Sequence, residues 1–227
     1  MMLLKAVFWD LDGTLIDSEP VWHDGEIAIA RANGGDWNED LGWACSGTPV
    51  PNVARHMIER GCTLSVEEID RQLKDYVFES EVKNLPWIDG VQDVLRSLKQ
   101  AGVPSMLVTT SPRRMAENIM NQAQGLFAGY VCGDDPCAHK PDPAPYLAAA
   151  QKLGIAREDM ASCVVLEDSA VGLQAGVASG ATVIAQTGWI RTDTSGLGQF
   201  VSIASYEGVN AETLDGFVRE RLESLKA

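Results

Sequence analysis

Short apolar runs alternate with amphipathic stretches along most of this chain. Ala6-Val7-Phe8-Trp9 stops abruptly at Asp10-Leu11-Asp12-Gly13, which predicts a buried strand whose C-terminal end carries acids. A second run over 104–108 ends at Thr109-Thr110-Ser111, a third over 161–166 at Glu167-Asp168-Ser169, and a fourth occupies 181–185. Weaker strand candidates lie at 130–132 and 200–203. Between the runs fall helical patterns. Val91, Val94, Leu95 and Leu98 share one face before a stop at Gly102. Pro112 opens a helix to about 124, and helices over 145–153 and 171–179 close at Gly154 and Gly180. Strands alternating with helices predict an α/β class: a Rossmann-like parallel sheet core with helices on both faces.

Residues 18–84 break this rhythm. They hold helical patterns over 21–33, 53–60 and 66–81 and no convincing strand, with turns at Gly34-Gly35 and Gly61. The expected organisation is an α/β catalytic core of residues 1–17 and 85–227, with an α-helical cap of residues 18–84 inserted after the first strand.

Composition narrows the partners. Of 227 residues, 45% are hydrophobic and 22% charged, which suits a soluble globular chain with a real core. The net charge of −14 argues against nucleic acid or an anionic membrane surface, since both call for clustered Lys and Arg. A small molecule is the expected partner, and a monomer or weak dimer the expected state. The five cysteines are odd in number and lack a Cys-x-x-Cys pair, which argues against a disulfide framework or zinc knuckle and for a reducing cytoplasm. The N-terminal apolar stretch is brief and lacks a small-residue cleavage site, and no run reaches membrane-spanning length.

Ligands of open α/β sheets gather beyond the C-terminal strand ends. There the first strand brings Asp10 and Asp12, the second Thr109, and the third Glu167 and Asp168; a loop brings Lys140 just before a helix. Four clustered carboxylates would raise one another's pKa. A hard dication with oxygen ligands relieves that repulsion, and Lys140 relieves more. Mg²⁺ suits an open site with few carboxylates and a substrate phosphate oxygen.

Asp10-Leu11-Asp12-Gly13-Thr14-Leu15, then Thr109, Lys140-Pro141 and Glu167-Asp168-Ser169, resemble the four ordered motifs of the haloacid dehalogenase superfamily. The continuation Asp17-Ser18-Glu19-Pro20-x-Trp22 looks like its sugar-phosphatase and β-phosphoglucomutase-like branch. The resemblance implies a Mg²⁺-dependent phosphatase acting on a small phosphorylated metabolite, a sugar phosphate by branch. It implies that Asp10 is the nucleophile that becomes an aspartyl-phosphate. Asp12 is then the general acid and base, and its carbonyl also binds the metal. Asp168 is a metal ligand and Glu167 an outer-shell one, while Thr109 and Lys140 hold the phosphoryl oxygens and amides around Leu11 and Thr110 complete the cradle. Thr110, Glu19, Trp22, His23, Gly47 and Thr48 are the candidates for contact with substrate.

Singly, each motif has an ordinary reading as a turn, a loop lysine or a helix cap; it is their order that carries the assignment. His23, His56 and His139 are too scattered for a metal site, and Asp135 has only a weak claim. Dehalogenation is disfavoured because that branch lacks the second acid of the first motif. A phosphosugar mutase is closer, but Trp22, Thr48-Pro49-Val50 and Phe78 stand where that branch carries cationic or His residues. A receiver-type phosphoacceptor domain is the remaining alternative, disfavoured by the Asp10-x-Asp12 spacing and the helical insertion.

Overall fold

The computed structural model describes residues 2–46, 48–189 and 193–226. Contacts divide the chain into two compact units, residues 18–86 and the remainder.

The larger unit is built on six parallel strands: β1 (Ala6–Trp9), β2 (Ser105–Val108), β3 (Gly129–Val131), β4 (Cys163–Glu167), β5 (Thr182–Gln186) and β6 (Val201–Ile203). They lie in the order β3-β2-β1-β4-β5-β6. All six are the runs expected from the apolar pattern. Every residue of β1, β2, β4 and β5 is buried, because helices cover both faces of the sheet. One face is filled by Phe8, Met106, Val108, Val165 and Val183 packed against Tyr146 and Ala149 of α7 (Ala144–Lys152) and Leu173 of α8 (Ala170–Ser179). Helices α5 (Val91–Gln100), α6 (Arg113–Gln122) and α9 (Ala211–Ser224) complete this unit.

Two departures from the pattern have local causes. Ala161 and Ser162 close a 3₁₀ turn (Arg157–Ser162), so the third run becomes strand only at Cys163. Helix α9 is not among the expected helices, although Leu214, Phe217, Val218 and Leu222 recur at helical spacing; it is started by Asn210, whose Oδ1 accepts from the N–H groups of Glu212 and Thr213 at 2.9 and 3.0 Å.

The smaller unit consists of α1 (Glu19–Ala32), α2 (Glu39–Cys45), α3 (Val50–Glu59) and α4 (Val66–Lys83). Ile29, Trp37, Val53, Met57, Ile69 and Leu73 form its core. The seven-residue α2 is too short to show a period; its start is fixed by Asn38, which accepts from Leu41 N–H. Among the described residues no helix is long and apolar enough to cross a membrane.

Candidate active site

Strand register assembles the site. Trp9 pairs with Leu107 on one side and Leu166 on the other, so the next residues of β1, β2 and β4 emerge side by side at one rim. Those residues are Asp10, Val108-Thr109 and Glu167-Asp168. The strand order reverses about β1, and such a reversal opens a crevice at the C-terminal rim. Asp10 stays tethered to β4 through its N–H, which donates to Leu166 O at 3.0 Å.

Carboxylate oxygens of Asp10, Glu167 and Asp168 come within 4.8 Å of one another. Lys140 stands among them with its side chain 3% exposed. Its ammonium has three protons, and three acceptors surround it: Asp10 Oδ1 at 2.5 Å, Glu167 Oε1 at 2.5 Å and Val108 O at 3.0 Å. The peptide bond that follows Lys140 is cis.

One cation does not balance three acids in a site this dry. Burial, and then the charge of Glu167, push the Asp10 carboxyl up to about 7 against the pull of Lys140. Asp168 rises well above the usual carboxylate range, by burial first and then by the charges of Asp10 and Glu167. Burial by itself would draw the Lys140 ammonium down; Asp10 and Glu167 outweigh it and hold the ammonium above its ordinary value.

The three acids differ in what already holds them. Glu167 is fully engaged: Oε1 accepts from Lys140 and from the Tyr146 phenol at 2.7 Å, and Oε2 accepts from Asp168 N, Ser169 N and Ser169 Oγ at 3.1–3.2 Å. Asp168 accepts from the Thr14 hydroxyl at 3.3 Å. Asp10 is held through Oδ1 by Lys140.

Two glycines make room for these groups. A Cβ on Gly13 would fall 2.3 Å from Asp168 Oδ2, and its φ of +77° is one that side chains resist. A Cβ on Gly172, in the first turn of α8, would sit 1.9 Å from the Glu167 carboxylate.

Asp12 stands outside the triplet but near enough to add its charge to Asp10 and Asp168. Its Oδ2 accepts from the Ser111 hydroxyl at 3.1 Å. Thr109 is buried at the end of β2, and its Oγ1 accepts from Ser111 N–H at 2.9 Å, while Thr110 is exposed. Tyr146, Ser111 and Thr14 are contributors that sequence reasoning misses. Asp135 has a different task from the site: it accepts from Arg113 at 2.6 Å and Lys152 at 3.1 Å, joining α6 to α7.

The remaining candidates belong to the helical unit. His23 is buried beside Glu19 at 3.2 Å, and Ser46 donates to Glu19. Trp22 packs on the core of that unit, and Thr48 is half-buried. Gly47 lies outside the described residues.

Comparison with known proteins adds to this geometry. A family model described as haloacid dehalogenase-like hydrolase matches residues 4–180. Hexitol phosphatase A of Escherichia coli is 30% identical over 186 residues, 81% of this chain and 83% of that protein. A phosphorylated carbohydrates phosphatase of Thermotoga maritima is 28% identical over 183 residues, 78% of this chain and 82% of that protein. Among solved structures, a HAD hydrolase of family IA, variant 3, from Entamoeba histolytica superposes with a TM-score of 0.81 at 21% identity, covering 95% of this chain and 99% of its own. With four motifs meeting at one sheet rim and a family match over most of its length, the chain belongs to the haloacid dehalogenase-like hydrolases.

Proposed function

We propose that this enzyme is a Mg²⁺-dependent phosphatase that hydrolyses a small sugar phosphate or polyol phosphate through an aspartyl-phosphate on Asp10. The observation that carries the reading is the placement of Lys140, at 2.5 Å from both Asp10 and Glu167, beside an acid cluster that it does not neutralise.

The donor set suits a hard dication. Asp10 and Asp168 offer carboxylate oxygens whose ionisation is opposed by burial and mutual repulsion, and Glu167 is already occupied by protein donors. Asp10, Asp168 and the Asp12 main-chain carbonyl are the groups assigned to hold Mg²⁺, with Glu167 behind them. Bound there, Mg²⁺ supplies positive charge to the phosphoryl oxygens.

The residues then divide the work. The Asp10 oxygen that Lys140 does not hold attacks phosphorus, and the P–O bond to the leaving alcohol breaks. Asp12 gives its proton to the departing alkoxide. It next takes a proton from a water, whose oxygen attacks phosphorus, releasing inorganic phosphate and regenerating Asp10. Positioned proton transfer of this kind contributes about 10²–10⁴-fold. Ser111 keeps the Asp12 carboxylate in one orientation. Lys140, the Thr109 hydroxyl and the Thr110 amide take the equatorial oxygens, where charge accumulates during transfer.

The charge of residues 18–86 supports hydrolysis over mutase chemistry. They hold thirteen Asp and Glu against six Lys and Arg, a poor setting for a second phosphate. A neutral polyol or sugar leaving group fits that balance, as do the substrates named for the two phosphatase relatives. Glu19, Trp22, His23, Gly47 and Thr48 are the positions assigned to its selection. Five free cysteines support a reducing compartment, the cytoplasm, and we expect a monomer or weak dimer.

The test is a screen of p-nitrophenyl phosphate and sugar and polyol phosphates with Mg²⁺ or EDTA, for wild type and Asp10→Asn. Multiple turnover should need Mg²⁺ and vanish in Asp10→Asn. Near-normal turnover by that variant rejects the covalent route, and a single phosphorylation without turnover points to a receiver.

A further inference from the structure

Tyr146 lies in the first turn of α7 and is fully buried. Its ring packs near Phe8, with centroids 6.4 Å apart, and its phenol donates to Glu167 Oε1 at 2.7 Å. The same oxygen accepts from Lys140 at 2.5 Å, and the Lys140 ammonium lies 5.3 Å from the Tyr146 ring centroid. One side chain therefore touches both members of the Glu167–Lys140 pair, by a hydrogen bond to the anion and by its ring to the cation.

The count of donors gives this contact its meaning. The three protons of Lys140 meet Asp10 Oδ1, Glu167 Oε1 and Val108 O. Only the first of these acceptors belongs to the reacting group. The other two are anchors that set the direction in which the third proton points. Val108 O is fixed by the strand. Glu167 Oε1 is fixed by Tyr146, because the remaining donors to Glu167, from Asp168 and Ser169, all act on Oε2.

We propose that Tyr146 is a positioning residue for phosphoryl transfer: acting through Glu167, it aims the Lys140 ammonium at the oxygens carried by Asp10. Losing the hydroxyl leaves Oε1 pinned by Lys140 alone, so Oε1 and the ammonium can shift together while Oε2 stays held. The damage falls on the transition state, where the ammonium must track charge on the equatorial oxygens, more than on the first encounter with substrate. This inference rests on the reading of Asp10 as phosphoryl acceptor.

The experiment compares wild type, Tyr146→Phe and Ala149→Gly, each as the full chain. Tyr146→Phe keeps the ring, its packing on Phe8 and its place over Lys140. Ala149→Gly loosens α7 one turn further on, at a buried position whose methyl makes no hydrogen bond to Glu167, and serves as the structural control. Turnover of p-nitrophenyl phosphate with Mg²⁺ should fall about tenfold in kcat for Tyr146→Phe, with KM within twofold, while Ala149→Gly lowers Tm and leaves kcat within twofold. As a readout other than activity, ¹⁹F NMR with Mg²⁺ and trifluoroberyllate, a mimic of the phosphoryl group on a carboxylate, should show affinity weakened by about five- to tenfold in Tyr146→Phe alone. Wild-type kcat and fluoroberyllate affinity in Tyr146→Phe, or losses that merely follow Tm in both variants, would overturn the proposal. Absence of turnover in wild type would instead strike the phosphatase reading itself.

Discussion

Two groups of buried acids, one in each unit, settle their charges in different ways. In the helical unit Glu19 and Glu26 each have a donor. Glu19 accepts from Ser46 and faces His23 at 3.2 Å, and Glu26 accepts from the Trp37 indole at 2.9 Å. At the sheet rim Asp10 and Glu167 share Lys140, with Asp168 clustered beside them. Burial opposes ionisation of Glu19, but hydrogen bonds from His23 and Ser46 outweigh it and hold that carboxyl below its ordinary value. Burial and repulsion drive Asp10 and Asp168 the other way. In the first cluster each of the two acids keeps a donor of its own, although burial still lifts Glu26 above its ordinary value, whereas the second holds more negative charge than its partners among the described residues balance. That surplus, and not burial or acidity alone, separates a site built to bind from a network built to hold a fold.

The contrast breaks most severely if Lys140 is lost. Lys140→Met keeps the bulk and removes the charge, leaving the acids without an ion-pair partner among the described residues. Turnover should fall by about 10²–10³-fold or more. Without Mg²⁺ the fold should lose about 3–5 kcal/mol at neutral pH, the range seen when one partner of a buried pair is removed. Denaturation at pH 5 should show a smaller loss, because the acids can then take protons. An equal loss at both pH values would mean that charge is not what the lysine supplies.

The next effect uses protons and metal against each other. With Asp10 raised from 3.8 to about 7 in the fold, the unfolded chain gives up that proton first. Stability from this group is therefore present below about 4 and is lost as pH rises to about 7, a change on the order of a few kcal/mol. Mg²⁺ should reverse the loss. Melting curves in EDTA should show Tm dropping across that window, and added Mg²⁺ should raise Tm more at pH 7.5 than at pH 5. A Mg²⁺ effect independent of pH would remove the proposed competition.

These two tests rest on residues that can be read from the chain, and the reasons are local. Asp10, Thr109, Glu167 and Asp168 each follow an apolar run directly, so a parallel sheet delivers them to one rim whatever its order. Lys140 cannot be placed by periodicity; its motif singles it out. The supporting residues are silent for a different reason. Tyr146 meets Glu167 across 21 residues, Ser111 meets Asp12 across 99 and Thr14 meets Asp168 across 154. Each is an ordinary residue of its helix or turn, and which way it faces is decided by packing that no window of sequence contains.

A smaller effect sharpens the geometry of the rim. Gly172→Ala would ordinarily favour a helix, by up to about 1 kcal/mol. Here the added carbon falls 1.9 Å from a carboxylate that five donors hold still, so the sign should invert to a loss of about 1–3 kcal/mol, with turnover reduced. A methyl added at Gly216 in α9 meets nothing within 4 Å, and Gly216→Ala should stabilise by up to about 1 kcal/mol. Urea denaturation of both variants separates the two outcomes, and stabilisation by both would show that Glu167 can move.

The smallest effect belongs to the settled cluster. Burial opposes a charge on His23, but Glu19, and behind it Glu26 and Glu39, outweigh it and raise the imidazole above its ordinary 6.5. The pair's contribution from His23 is therefore full below about 6.5 and fades as pH rises through the raised value. That from Glu19, whose carboxyl is lowered, is full above about 4.5 and fades on acidification. Both are present together between those limits. His23→Gln should thus cost most near pH 5.5, by about 1 kcal/mol or less, and progressively less toward pH 8. The ring is also packed against Gly42, where an added Cβ would meet it at 2.7 Å, so the cost that persists at pH 8 measures lost packing. A cost that does not change from pH 5.5 to 8 would make the helical cluster a matter of shape alone, and charge would then distinguish the two regions less than their packing does.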